Sequence, residues 1–164
     1  MIWRVFRPNL LSSALLSAIL LTFAVNSAIA EQKTYKNPRF GTSVTFPADI
    51  FIRSMEPPAN GDGMSWSSKD GAVLSVFGSN NALDDTPAGY AKRIEDEPGK
   101  RITYKRIAED WLVISGVEKE QFFYMRYQFG ADGVIHGLVM RYPSWRHSTY
   151  DPLVSKIAAS LDGP

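Results

Sequence analysis

The chain has 164 residues, with 18 Lys and Arg against 17 Asp and Glu, and it contains no cysteine. The near-balance of charge argues against a nucleic-acid binder, which carries a basic excess. The lack of cysteine rules out a disulfide framework, thiol catalysis and lipid anchoring through cysteine, so whatever folds is held by its apolar core.

The first thirty residues read as a secretory leader. "MIWRVFRPN" carries Arg4 and Arg7 and no acid, "LLSSALLSAILLTFAV" is apolar, and "NSAIA" ends in the small-x-small pattern Ala28-Ile29-Ala30. Positive, apolar and small regions in that order define an export signal. A membrane-spanning helix needs about 20 apolar residues, whereas this run has sixteen and is broken by serines. Cleavage is expected between Ala30 and Glu31, giving a periplasmic protein with no stable membrane anchor. Without Arg4 and Arg7 the mature chain keeps 16 basic and 17 acidic residues over 134 positions, a net charge of −1. That length suits one domain. Residues 31–38 are polar and expected to form a flexible arm, and 39–164 to form a single α+β domain.

"FGTSVTF" (Phe40–Phe46) alternates Phe40, Val44 and Phe46 and predicts a strand, ended by Pro47. Ile50–Met55 has the composition of a second, short strand. "EPPANGDG" is a loop punctuated by Pro57-Pro58 and Asn60-Gly61. "MSWSS" and "AVLSVFG" flank Lys69-Asp70-Gly71, a β-hairpin signal. After the loop "SNNALDD", Thr86 or Asp85 caps a helix with Pro87 at or near its first position. Four strands follow at Arg101–Ile107, Trp111–Val117, Gln121–Phe129 and Val134–Tyr142. Their links "AED", "EKE" and "GADG" are short enough for hairpins, so an antiparallel meander is expected. Asp151 and Pro152 have the chemistry of a helix start, and Leu153, Ile157 and Leu161 form the apolar stripe of that closing helix. "WLVISGV" and "QFFYMRYQF" are apolar on both faces, and such strands need cover on both sides.

Chemistry is sparse. An EF-hand-type loop over Asn60–Gly71 would need oxygen ligands where Met64 and Gly71 stand, so the glycines there read as turns and no metal site is expected. His136 and His147 are the only histidines, and neither HExxH, GxSxG, a P-loop nor GxGxxG occurs. His136 is in phase with Val134, Leu138 and Met140, which points to a structural, partly buried ring. The acidic pairs Asp84-Asp85, Glu95-Asp96-Glu97 and Glu109-Asp110 flank turns and helix ends rather than a cleft. Trp66 and Trp145, with Asn80 and Asn81, have the chemistry of a shallow groove for peptide or sugar.

The order of elements from "RFGTSVTFPADIF" to "YDPLVSKIAASL" resembles the PsbP-like α/β/α sandwich. That fold is shared by photosystem accessory proteins, a nuclear Ran-binding protein and small bacterial envelope proteins. The phrases "NGDGMSW", "WLVISG", "FFYMRY" and "VIHGLVMRYP" resemble small secreted proteins of alphaproteobacteria. The resemblance spans most of Arg39–Leu161. It implies an antiparallel sheet covered by two helices, and by fold-level analogy a non-enzymatic accessory or binding module. The expectation is therefore a periplasmic, cofactor-free monomer that binds an envelope protein or glycan through Trp66, Asn80, Asn81, His136, Arg141 and Trp145. The alternatives are a small envelope-directed hydrolase using His136 with a nearby acid, and an inhibitor or immunity protein of a periplasmic enzyme.

Overall fold

The computed structural model describes residues 31–164. The leader expected at Met1–Ala30 and its cleavage lie outside the described residues.

In chain order the elements are β1 (Gln32–Lys36), β2 (Ser43–Pro47), β3 (Arg53–Ser54), β4 (Gly63–Ser67), β5 (Val73–Asn80), α1 (Pro87–Glu95), β6 (Lys100–Ile107), β7 (Trp111–Glu118), β8 (Gln121–Phe129), β9 (Val134–Pro143) and α2 (His147–Ala159). A 3₁₀ turn at Ser144–Arg146 runs directly into α2. The segment expected as a flexible arm is instead β1, paired antiparallel to β2 from Gln32↔Pro47 to Lys36↔Ser43. Its residues carry almost no apolar signal; backbone pairing orders it, and Tyr35 anchors it edge-on against Trp66.

Seven strands form one antiparallel sheet in the order β3-β4-β5-β9-β8-β7-β6. The β4–β5 hairpin turns at Gly71, whose φ of 89° needs a residue without Cβ. From β5 the chain crosses by α1 to the far edge. It returns as the expected meander until β9 lies beside β5, paired from Val73↔Arg141 to Asn80↔Val134. Thr86 caps α1 by accepting a hydrogen bond from the Gly89 amide, with Pro87 in the first turn.

Each face of the sheet has its own core. On one, Ala91 and Ile94 of α1 pack over Leu112, Ile114, Phe123 and Met125. On the other, α2 and the β1–β2 hairpin bury Val44, Phe46, Trp66, Leu74, Leu138 and Met140. The arrangement is α+β, one antiparallel sheet with a helix packed on each face. The start of α2 departs from expectation. Pro152 sits inside the helix and Asp151 is no cap. The 3₁₀ turn supplies the entry five residues upstream of Asp151, and the Asp151 carboxylate instead accepts from Tyr142 Oη at 2.7 Å.

Candidate functional site

The residues expected to form a binding groove do not converge. Trp66 is only 2% exposed. It packs between Phe46, centroid to centroid 4.6 Å, and Tyr35 at 5.0 Å, so it is core and lines no surface groove. Strand alternation carried the signal: Met64 and Trp66 share one phase, Ser65 and Ser67 the other. Asn81 clips the loop before α1, its amide donating to the Asp85 carbonyl and its carbonyl accepting from the Asp85 amide, both at 2.9 Å. Asn80 is exposed at the Val134 end of β9, whereas Trp145, 70% exposed, follows the Pro143 end. Nine residues of strand separate those ends, roughly 30 Å.

His136 is wholly buried. Its Nδ1 lies 2.8 Å from Thr42 Oγ1, and its Nε2 has no partner among the described residues. Desolvation pulls the imidazole pKa below its usual value; Asp132 and Asp162 oppose this only in part. Arg141 lies on the opposite face, beside Phe123 in the register, where it borders a cleft with Tyr90, Lys100 and Tyr127 and stands 3.9 Å from Glu118.

The acids of Asn60–Gly71 are engaged by neighbouring side chains. Asp62 Oδ2 accepts from Asn60 Nδ2 at 2.7 Å. Asp70 accepts from Ser68 Oγ at 2.6 Å, from Tyr150 Oη, and from Arg146 Nε at 2.7 Å. Desolvation pushes the Asp70 carboxyl up, but the three hydrogen bonds and the Arg146 charge outweigh it and hold the pKa at about 2. This turn is a clasp on the front of α2.

The surface that stands out is one the sequence reading did not assemble. Cover by α2 ends near β8, and the same face continues over β7 and β6 to the sheet edge. Strand register places three rows there: Arg106–Val113–Arg126, Tyr104–Ser115–Tyr124 and Arg101–Val117–Phe122. Beside the first row stands Trp111, with the Arg106 guanidinium 5.2 Å and the Arg126 guanidinium 5.4 Å from its ring centroid. Both distances suit cation–π contact. Among the described residues no carboxylate lies within 4 Å of the charged groups of Arg101, Arg106 or Arg126. Arg126 Nε is excluded from solvent and has no hydrogen-bond partner among the described residues. Tyr104 is 51% exposed. A β-bulge between Ile102 and Tyr104 sets Thr103 apart, its hydroxyl 3.4 Å from the Ser115 carbonyl. Where this face meets α2, a cavity of about 290 Å³ is lined by Phe122, Tyr124 and Tyr142, by Ser115 and Ser155, and by Asp151.

The local signal for this face was the meander itself. Tyr104 and Arg106, Trp111 and Val113, and Tyr124 and Arg126 are each in phase. The short hairpin links bring those phases side by side.

No family model and no curated protein matches the chain. Among solved structures the chain is similar to cyanobacterial PsbP (CyanoP) from Synechocystis sp. PCC 6803. The TM-score is 0.54 at 14% identity, over 88% of this chain and 99% of that one. The likeness places the chain in the PsbP-like class of α+β folds. At that identity it speaks for the fold alone.

Proposed function

We propose that the chain is an exported, non-enzymatic accessory or binding module that contacts a periplasmic envelope component through the open face of β6–β8. The observation that carries this reading is the pair Arg106 and Arg126 over Trp111, with Arg101 farther along the same face, and with no carboxylate within 4 Å of those arginines among the described residues. Arginines and aromatic rings are the residue types enriched where proteins recognise partners. The PsbP-like fold is compatible with an accessory role, by analogy of fold. Against the hydrolase alternative stands His136, whose buried ring is bonded to Thr42 and lacks the substrate-facing position a general base requires. An inhibitor of a periplasmic enzyme would use the same face on a different partner.

The test is saturable binding of the 31–164 protein to isolated envelope fractions, followed by co-sedimentation. Wild type should bind, and Arg106→Glu/Arg126→Glu, at an unchanged thermal midpoint, should not. Equal binding by both proteins would remove this face from the function.

A further inference from the structure

We infer that the groove between α2 and the open face of β6–β8 takes an acidic oligosaccharide, an assignment that rests on the reading of this face as the contact surface. The two ends of the groove ask for different chemistry. At the α2 end the cavity of about 290 Å³ sits at the small end of ligand sites, which run from roughly 300 Å³ upward. It offers the rings of Phe122 and Tyr124 and the hydroxyls of Ser115 and Ser155. Asp151 spends Oδ1 on the Tyr142 hydroxyl. Its Oδ2 lies 3.7 Å from His147 Nδ1, beyond hydrogen-bond length, and remains an acceptor for a ligand hydroxyl. A sugar ring matches this end. Its C–H face lies on an aromatic ring, and its hydroxyls both donate and accept.

At the other end stand Arg106 and Arg126, both over the Trp111 ring, whereas Arg101 lies in the Phe122 row nearer the cavity. Guanidinium groups without a protein carboxylate call for an anion, and a carboxylate matches their fork geometry. Phe122 and Arg126 are four residues apart on β8, roughly 13 Å, so a ligand using both ends is an oligomer rather than a single sugar. A neutral glycan would leave the arginines unanswered. An acidic peptide would bring its carboxylates toward Asp151. A saccharide bearing both hydroxyls and carboxylates answers both ends.

The experiment is calorimetric titration of the 31–164 protein with oligogalacturonate, a neutral malto-oligosaccharide of equal length, and polyglutamate. Oligogalacturonate should bind, and affinity should fall as salt rises because exposed charges are screened. Tyr124→Ala, Trp111→Ala and Arg106→Gln/Arg126→Gln should each weaken it by about tenfold or more, equivalent to about 1.4 kcal/mol. Arg106 is exposed and Arg126 partly so, and the arginine pair, checked by an unchanged thermal midpoint, decides the matter if Trp111→Ala unfolds. Asp151→Asn should weaken binding while leaving its salt dependence unchanged. Binding of oligogalacturonate that ignores the arginine pair, or equal binding of the neutral glycan, overturns the assignment. Binding of polyglutamate alone overturns it in favour of an acidic peptide and leaves the contact face standing. If no probe binds, the saccharide assignment fails. The contact face then survives only if Arg106→Glu/Arg126→Glu still abolishes binding to envelope fractions.

Discussion

Arg146 and Asp70 lie 76 residues apart in the chain and meet at 2.7 Å, Nε to Oδ2. The turn of the β4–β5 hairpin thereby holds the entry to α2, with Ser68 and Tyr150 donating to the other carboxylate oxygen. Burial, and next the hydrogen bond to Asp70, push the Tyr150 hydroxyl up to about 12, with Ser68 and Arg146 opposing.

This clasp sets an acid limit. The folded Asp70 pKa of about 2 lies below the unfolded value of 3.8. The unfolded chain therefore takes up the proton first as pH falls. The stabilisation is complete above about pH 4 and is lost as pH drops toward about 2. Thermal midpoints measured from pH 2 to pH 6 should show Asp70→Asn lower than wild type at pH 6, with the two converging near pH 2. Parallel curves would mean that the carboxylate contributes nothing through its charge.

His136 is charged when protonated, unlike Asp70, but responds to pH in the same direction. Its folded pKa lies below the usual 6.5 because burial disfavours the imidazolium. The unfolded state binds the proton first, so this group withdraws stability as pH falls below about 6.5. Imidazole resonances in the folded protein should titrate below that value. His136→Gln should lower the thermal midpoint at neutral pH and flatten its dependence between pH 7 and pH 5. A ring that titrates at or above 6.5 contradicts the buried, Thr42-bonded geometry.

The stripe of α2 predicts unequal costs. Ile157 is 2% exposed within the core, whereas Leu153 is half-buried at its margin. Ile157→Ala should cost about 2–5 kcal/mol, the range for a buried large-to-small change. Leu153→Ala should cost less. Urea unfolding of both variants checks the order, and reversal would mean that α2 docks by a different face.

Lys119 has a φ of 55° in the two-residue link between β7 and β8. A left-handed conformation strains a side chain with Cβ by about 1–2 kcal/mol. Lys119→Gly should therefore raise stability, and Lys119→Asn should do so less. A drop in the urea midpoint for the glycine variant would show that chain entropy outweighs the strain.

The elements legible in the sequence are those whose signals are local. The β4–β5 hairpin announces itself by Asp70-Gly71 between alternating runs, α1 by Thr86 and Pro87, and the meander by period and short links. What stayed hidden depends on distant partners. The strand β1 has a polar composition, and only its ladder with β2 makes it a strand. Pro152 mimics a helix start because its fixed φ suits a first turn, but the preceding 3₁₀ turn had already begun the helix. Trp66 among serines looked exposed until the β1–β2 hairpin covered it. Of the candidate site, Arg141, Asn80, Asn81 and Trp145 were readable as polar or aromatic surface types, but their mutual distance was not. Arg106, Trp111 and Arg126 are far apart in sequence, and only the register of three strands places them together.

The position of β9 has a consequence for how the molecule is made. It is the last strand of the chain, yet it stands in the middle of the sheet, joining β5 on one side to β8 on the other. Until residues 134–143 arrive, β4–β5 and β6–β8 are separate pieces, each with a raw hydrogen-bonding edge. A chain that emerges from its N-terminus can form hairpins early, but its sheet closes only at the end. The closing step joins contacts distant in sequence, which makes it slow, and it leaves those edges open to other chains meanwhile. Truncation within β9 should therefore yield no smaller folded domain, only two unjoined halves.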